Sequence, residues 1–251
     1  MERRETTGIQ GTKRICFRQM IIAGLQKHTL IDYPGKVAAT IFISGCNFKC
    51  PFCHNPELVL PEEIKKGKEL PLKEVFAFLE ERKGFLDGVV ICGGEPTIHS
   101  DLDNFIFKIK KMGFLIKLDT NGYNPEMLEK LIDKKLVDYI AMDIKASKEK
   151  YNKLAGARVD LQKIEQSIGL LKNRAKDYEF RTTLVPGMIE KEDILKIVLW
   201  IAPAKKYVIQ NFSNKQMLVN KELSSKNPFS DECLESVKKE VESFFDICET
   251  R

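Results

Sequence analysis

From Val37 onward, short apolar runs rich in β-branched residues alternate with stretches in which apolar residues recur every three or four positions. The runs at roughly 37–44, 88–92, 114–119, 138–143, 178–184 and 206–211 predict six strands. Between them, Leu72, Val75, Phe76 and Leu79 form the stripe of a helix laid on a sheet, and Leu161, Ile164, Ile168 and Leu171 form another. Lysines and glutamates fill the opposite faces, as on solvated helices. A final helix near 230–247 is expected to carry Cys233, Val237, Val241 and Phe244 on one face, with Cys233 in the core and Cys248 at its frayed end. Strands that alternate with helices imply βα units and a parallel sheet. Six such units predict an α/β fold, a partial, open (β/α)6 parallel barrel. No linker, repeat or low-complexity tract divides residues 20–251, so one domain is expected there.

Composition changes this picture little and charge refines it. A chain of 251 residues is long enough to bury the core of such a barrel. The net charge of +5 is concentrated at the N-terminus, where residues 1–19 hold Arg3, Arg4, Lys13, Arg14 and Arg18 against Glu2 and Glu5, leaving +2 for the rest. That body lacks the basic stripe a phosphate backbone needs, so no nucleic-acid partner is expected. The first 19 residues are polar and aperiodic, and read either as a disordered basic arm or as sequence upstream of a true start at Met20. The strongest apolar stretch, Val37 to Ile43, is far too short to span a bilayer, and no leader-like apolar segment opens the chain. No membrane association and a cytoplasmic location are expected. The odd count of seven cysteines fits a reducing compartment in which thiols stay free.

Three of those cysteines, Cys46, Cys50 and Cys53, stand in one short loop after the first predicted strand. The other four, Cys16, Cys92, Cys233 and Cys248, are scattered singly. A structural zinc site or a fully ligated cluster wants four ligands, usually in two pairs. Three thiolates instead suit a four-iron cubane whose fourth iron keeps open positions. A disulfide plus a spare thiol, or a zinc site completed by His54, are the plainer alternatives. In parallel α/β folds chemistry gathers at the C-terminal ends of strands, and the remaining candidates fall there. The second strand ends in Gly93-Gly94-Glu95-Pro96, the third in Asp119-Thr120-Asn121-Gly122, the fourth in Asp143-Ile144-Lys145, and the fifth carries Arg181 ahead of Val185-Pro186-Gly187. Strand alternation puts Asp119 with Asn121, and Asp143 with Lys145, on common faces. Opposed charges at a buried strand end are costly unless paired or used on a ligand. His28 and His99 are expected to have surface or core roles, and Gln210 at the sixth strand is a weak candidate.

The spacing C-x3-C-x-aromatic-C, with Phe52 as the aromatic residue, followed by Gly-Gly-Glu-Pro after the next strand, resembles the radical S-adenosylmethionine (SAM) superfamily. Asp119-Thr120-Asn121-Gly122, Asp143-x-Lys145 and Arg181-x-x-x-Val185-Pro186-Gly187 resemble segments of its glycyl-radical-enzyme activating branch. The segment Asp32-Tyr33-Pro34-Gly35 ahead of Cys46 to Pro56 looks like the anaerobic ribonucleoside-triphosphate reductase activating proteins within that branch. Tyr33 differs from the Asp-Gly-Pro-Gly segment of pyruvate formate-lyase activators, and no second cysteine quartet is present. The resemblance implies a [4Fe–4S] cluster on Cys46, Cys50 and Cys53, with Phe52 beside it. It implies SAM held by Gly93, Gly94 and Glu95 at its amino group and by Lys145 at its carboxylate. Asp119, Thr120 and Asp143 would serve the ribose side or a cation near Asp119 and Asp143, and Asn121 would be a further cofactor-binding residue. Arg181 would anchor SAM or clamp the two aspartates together, and His54 would hydrogen-bond rather than ligate.

The chemistry so implied is reductive cleavage of SAM and removal of a hydrogen from a glycine of a partner, a glycyl radical enzyme, with a flavodoxin or ferredoxin as electron donor. Other readings are an activase of a pyruvate formate-lyase-like enzyme, a radical SAM enzyme acting on another peptide or a small molecule, and a non-enzymatic metal-binding redox sensor.

Overall fold

All six expected strands form, and two more extend the sheet at its edges. The structure is a computed structural model that describes residues 20–251. The basic arm expected over residues 1–19 therefore lies outside the described residues. The strands are β1 (Ile22–Thr29), β2 (Ala38–Ile43), β3 (Gly88–Gly93), β4 (Leu115–Thr120), β5 (Tyr139–Asp143), β6 (Tyr178–Leu184), β7 (Ala204–Asn211) and β8 (Phe245–Thr250). They lie side by side in chain order, parallel from β2 to β8, with β1 antiparallel to β2. β1 and β8 do not pair, so the barrel stays open.

Each added strand escaped the sequence reading for a physical reason. β1 is an edge whose residues Gln26, Lys27 and His28 face solvent, so no apolar alternation marks it. The expected final helix is shorter than 230–247. It spans Asp231–Val241, capped by the Ser230 hydroxyl accepting from the Cys233 N–H at 3.3 Å. Its buried stripe is Leu234, Val237 and Val241, one residue out of step with Cys233, which is half exposed. Phe244 is exposed, and Cys248 lies on β8 rather than at a helix end.

Alternation along the strands divides the core. On β2, Ala39, Ile41 and Ile43 face outward into the main core beneath the helices, while Ala38 faces the lumen. The helix Leu72–Glu81 buries Val75, Phe78 and Leu79 there, each worth roughly 1.5–3 kcal/mol. Phe76 of the expected stripe packs at its margin, 5.8 Å edge-on from Phe105.

The lumen is filled from the bottom. Tyr33 is buried against Val90, Tyr139 and Ala141, with its ring 6.0 Å from Tyr139, and together with the Leu115 carbonyl oxygen it leaves no room for a side chain at Gly88. Asp32 accepts from Thr40 Oγ1 at 2.7 Å, tying the Asp-Tyr-Pro-Gly turn to β2. Glu179 of β6 is fully buried and accepts from Tyr139 Oη at 2.9 Å and from both terminal nitrogens of Arg251 at 3.3 Å. The upper lumen, at the C-terminal strand ends, remains open as a cavity. Among the described residues no helix is long and apolar enough to cross a membrane.

Candidate active site

The cavity is walled by the cysteine loop and by the ends of β3 to β6. Residues 44–55 have no regular structure, yet they are fixed by backbone bonds on every side. Gly45 donates to Leu58 O at 2.8 Å, Lys49 to Ala155 O at 2.8 Å, and the Val219 and Asn220 amides donate to Cys53 O and Pro51 O at 3.1 and 2.9 Å. Such pairing satisfies polar backbone that a cavity wall would otherwise strand. Phe48 and Phe52 are buried and anchor the loop from within.

Gly93 and Gly94 bring the end of β3 against this loop. A Cβ at Gly93, where φ is +125°, would meet Ile43 O at 2.2 Å. The Gly94 N–H reaches Ile43 O at 2.8 Å, and the Glu95 N–H reaches Gly45 O at 2.7 Å. The paired glycines thus serve close approach to the chain's own backbone as well as to the cavity. Glu95 turns inward and is fully committed. Its Oε1 accepts from Thr97 N at 3.0 Å, Thr97 Oγ1 at 2.5 Å and Thr120 Oγ1 at 2.8 Å, and its Oε2 accepts from Asn121 N at 2.6 Å. Burial pushes this carboxyl up, and the four donors oppose the shift. Asn121 Nδ2 donates to Asn47 Oδ1 at 2.8 Å, so the end of β4 also grips the cysteine loop.

A ladder of alternating charges crosses the cavity floor. Lys117 ion-pairs with Asp119; Arg181 donates from Nη1 to Asp119 Oδ2 at 3.0 Å and from Nε to Asp143 Oδ1 at 2.7 Å; Lys145 Nζ donates to Asp143 Oδ2 at 2.9 Å. Burial alone would raise both aspartates, but Arg181 and the lysines hold them below the ordinary carboxylate range. Likewise burial disfavours charged Lys145, and Asp143 more than restores it. The guanidinium is therefore the clamp between the two aspartates. The cation expected near Asp119 and Asp143 finds no support, because Lys117, Arg181 and Lys145 already supply positive charge to these carboxylates.

All thirteen residues expected at the site line this one cavity: Cys46, Cys50, Phe52, Cys53, Gly93, Gly94, Glu95, Asp119, Thr120, Asn121, Asp143, Lys145 and Arg181. Cys92 and Thr183 line it too and were missed. Each stands two residues along its strand from another inward position, Val90 and Arg181, so strict alternation would have found both. The same rule from Asp119 finds Lys117. Gln210 is not in the lining. His54 donates from Nε2 to Ser213 O at 2.9 Å, and His99 donates to Ser44 O at 3.0 Å from a core position.

The three loop cysteines and Cys92 carry free thiols, and burial raises all four, Cys50 to about 11 against the pull of Lys145 and Cys92 to about 12. Among the described residues no three His, Cys, Asp or Glu side chains gather closely enough to hold a single ion. Three thiols spread around one wall instead suit a larger inorganic group.

The Radical SAM superfamily model matches residues 40–201. A "Putative glycyl-radical enzyme activating enzyme" of Methanocaldococcus jannaschii is 39% identical over 200 residues, covering 78% of this chain and 81% of the relative. A pyruvate formate-lyase-activating enzyme of Clostridium pasteurianum is 31% identical over 129 residues, 49% of this chain and 52% of its own. Among solved structures, QueE from Escherichia coli superposes with a TM-score of 0.53 at 17% identity over 93% of this chain and 95% of that one. Streptococcus suis SuiB bound to S-adenosylmethionine gives 0.63 at 18% identity over 81% of this chain, which spans about half of that protein, 48%. Those two likenesses show the fold. Membership of the superfamily implies a [4Fe–4S] cluster and SAM as the working cofactors. With the family model covering most of the barrel and a relative aligned over most of its length, the chain is a radical SAM enzyme, akin to glycyl-radical-enzyme activating enzymes.

Proposed function

We propose that this enzyme reductively cleaves SAM and places a glycyl radical on a partner protein, and that the partner is an anaerobic ribonucleoside-triphosphate reductase. The observation that carries the reading is the meeting, in one cavity, of three free cysteines on a single loop with Gly93–Glu95 and Lys145. The donor set fits a cluster held by Cys46, Cys50 and Cys53 with one iron left for SAM. When bound, that pair of cofactors supplies one electron to the sulfonium and a carbon-centred radical able to take a hydrogen from glycine.

The chain's own residues do the rest. Lys145 carries three donors and gives one to Asp143, leaving others for the SAM carboxylate. Asp143 and Arg181 keep that ammonium charged and in place. Glu95, hydrogen-bonded to Thr97, Thr120 and Asn121, fixes the turn in which Gly93 and Gly94 would meet the SAM amino group. Phe52 lies under Lys145, with the ammonium 5.9 Å from its ring centroid, and keeps water from that side. A flavodoxin or ferredoxin is the proposed electron donor.

Anaerobic reconstitution with iron and sulfide should give a brown protein whose reduced EPR signal changes on adding SAM. Incubation with SAM and an anaerobic ribonucleotide reductase should then produce the glycyl EPR doublet on the reductase. A doublet on a pyruvate formate-lyase-like enzyme alone, or turnover of a small molecule without any doublet, would reassign the substrate. A colourless protein indifferent to SAM would remove the enzyme reading altogether.

A further inference from the structure

The outer side of the cysteine loop carries a patch of unpaired cations. Lys49, one residue before Cys50, is exposed and absent from the cavity lining, whereas its neighbours Phe48 and Cys50 line it. Its amide donates to Ala155 O, and the backbone of Gly156 lies against Lys49 O so closely that a Cβ there would stand 2.1 Å away. This contact brings the segment 151–163 onto the back of the loop. Lys153 points outward from the short helix Tyr151–Ala155, whose Tyr151, Leu154 and Ala155 are buried. Arg158 is exposed and held beside that helix by the Val159 N–H donating to Asn152 Oδ1 at 2.7 Å. Lys163 sits 5.2 Å from the Tyr123 ring centroid, and Tyr123 packs at 5.6 Å on Phe48.

Among the described residues these four cations form no ion pair, in contrast to Lys148 with Glu165 and Lys150 with Asp193 beside them. The anions nearby are Glu149 and Asp160, the latter occupied in capping Gln162. The patch therefore holds an excess of two positive charges, as much as the net charge of the whole body from residue 20 onward. Unpaired charge gathered on one face raises association rates with an oppositely charged partner. A compact patch of four is too small for the extended neutralisation of a nucleic-acid backbone.

We infer that this face docks an acidic electron-donor protein of flavodoxin type. The inference rests on the proposed function, because it takes the cysteine loop as the seat of a redox group. A partner on Lys49, Lys153, Arg158 and Lys163 is separated from the cysteine side chains by the loop itself, and does not obstruct the cavity on the loop's other side. In each docking event one electron leaves the donor, a flavodoxin hydroquinone becoming the semiquinone, and the group on the loop is reduced by one.

The test uses the reconstituted full chain, a recombinant flavodoxin and dithionite. The double variant Lys153→Glu with Arg158→Glu should lower the second-order rate of reduction by flavodoxin hydroquinone at least about tenfold at low ionic strength, and weaken binding of oxidised flavodoxin in parallel. Reduction by dithionite, a small reductant, should be unchanged. The control Lys66→Glu with Lys83→Glu alters net charge equally at lysines paired with Glu63 and Glu80, and should leave the flavodoxin rate within about twofold. An unchanged rate in the first double variant, an equal loss in the control, or a loss confined to binding of a nucleic-acid oligonucleotide would each overturn the assignment. Failure of dithionite-reduced protein to cleave SAM would instead strike the proposed function, and the binding measurement would still report on the docking face.

Discussion

A Cβ on Gly94 would stand 2.0 Å from the carbonyl oxygen of Gly45, so the turn after β3 and the cysteine loop after β2 are in backbone contact at that point. Gly94→Ala forces them apart, and with them the hydrogen bond from Glu95 N to Gly45 O. The expected loss is about 3 kcal/mol of stability in chemical denaturation, together with poor iron loading, because the contact is backbone on backbone and cannot yield as a flexible side chain would. Unchanged stability and iron content would contradict this coupling of the two loops.

The three-thiolate set is checked most sharply by a cysteine inside the cavity that is not on the loop. Cys50→Ala should abolish the brown chromophore. Cys92→Ala should retain it, since Cys92 belongs to β3 and stands among Asp119, Arg181 and Lys117. Visible absorption and iron content measure both. Loss of colour in Cys92→Ala would make it a fourth ligand.

Lys117 is 2% exposed, and its ion pair is with Asp119. Lys117→Met leaves Asp119 on Arg181 alone, in a place where an uncompensated charge is expensive, and should cost about 3 kcal/mol. Adding Asp119→Asn removes the stranded charge and should recover about 1 kcal/mol or more. The double-mutant cycle in urea gives the coupling directly; simple additivity of the two losses would mean the ladder is not acting as a unit.

Asp103 offers a pH test away from the site. Burial would raise its carboxyl, but Lys134 at 2.7 Å and Lys130 at 2.9 Å outweigh that and lower it to about 2. Its folded value lies below the unfolded value of about 3.9. The stabilisation is therefore complete above about pH 4 and is lost as pH falls through about 2. Both lysines are about half exposed, so solvent screening leaves roughly 1 kcal/mol at neutral pH. Thermal melts of Asp103→Asn and the parent should differ at pH 7 and converge near pH 2.

Much of this was legible in the chain because the six central strands are mostly buried on both faces and so read largely as apolar runs. The residues at their C-terminal ends were legible because a cavity there needs polar side chains where the pattern otherwise calls for apolar ones. β1 and β8 were not, since edge strands carry solvent-facing residues and lack a two-sided pattern. The stripe through Cys233 and Phe244 misled because a helical period continues by chance past Val241, where the chain turns into β8. Lys117 was invisible for a different reason. A lysine between Ile116 and Leu118 looks like the wet side of a strand, and only the curling of the sheet puts it inside, with Asp119 as its counter-ion. Tyr33, part of the Asp-Tyr-Pro-Gly segment that carries a family resemblance, also packs the lumen, a role its sequence context does not signal.

That tyrosine has a topological consequence. With Tyr33, Val90 and Tyr139 stacked beneath the charged ladder, the barrel is a cup and not a tube. Nothing can be threaded through it end to end. A reacting atom carried by a long polymer must be offered to the cavity from the rim or from the open side between β1 and β8, so the shape of the host sets a condition on its guest before any chemistry begins.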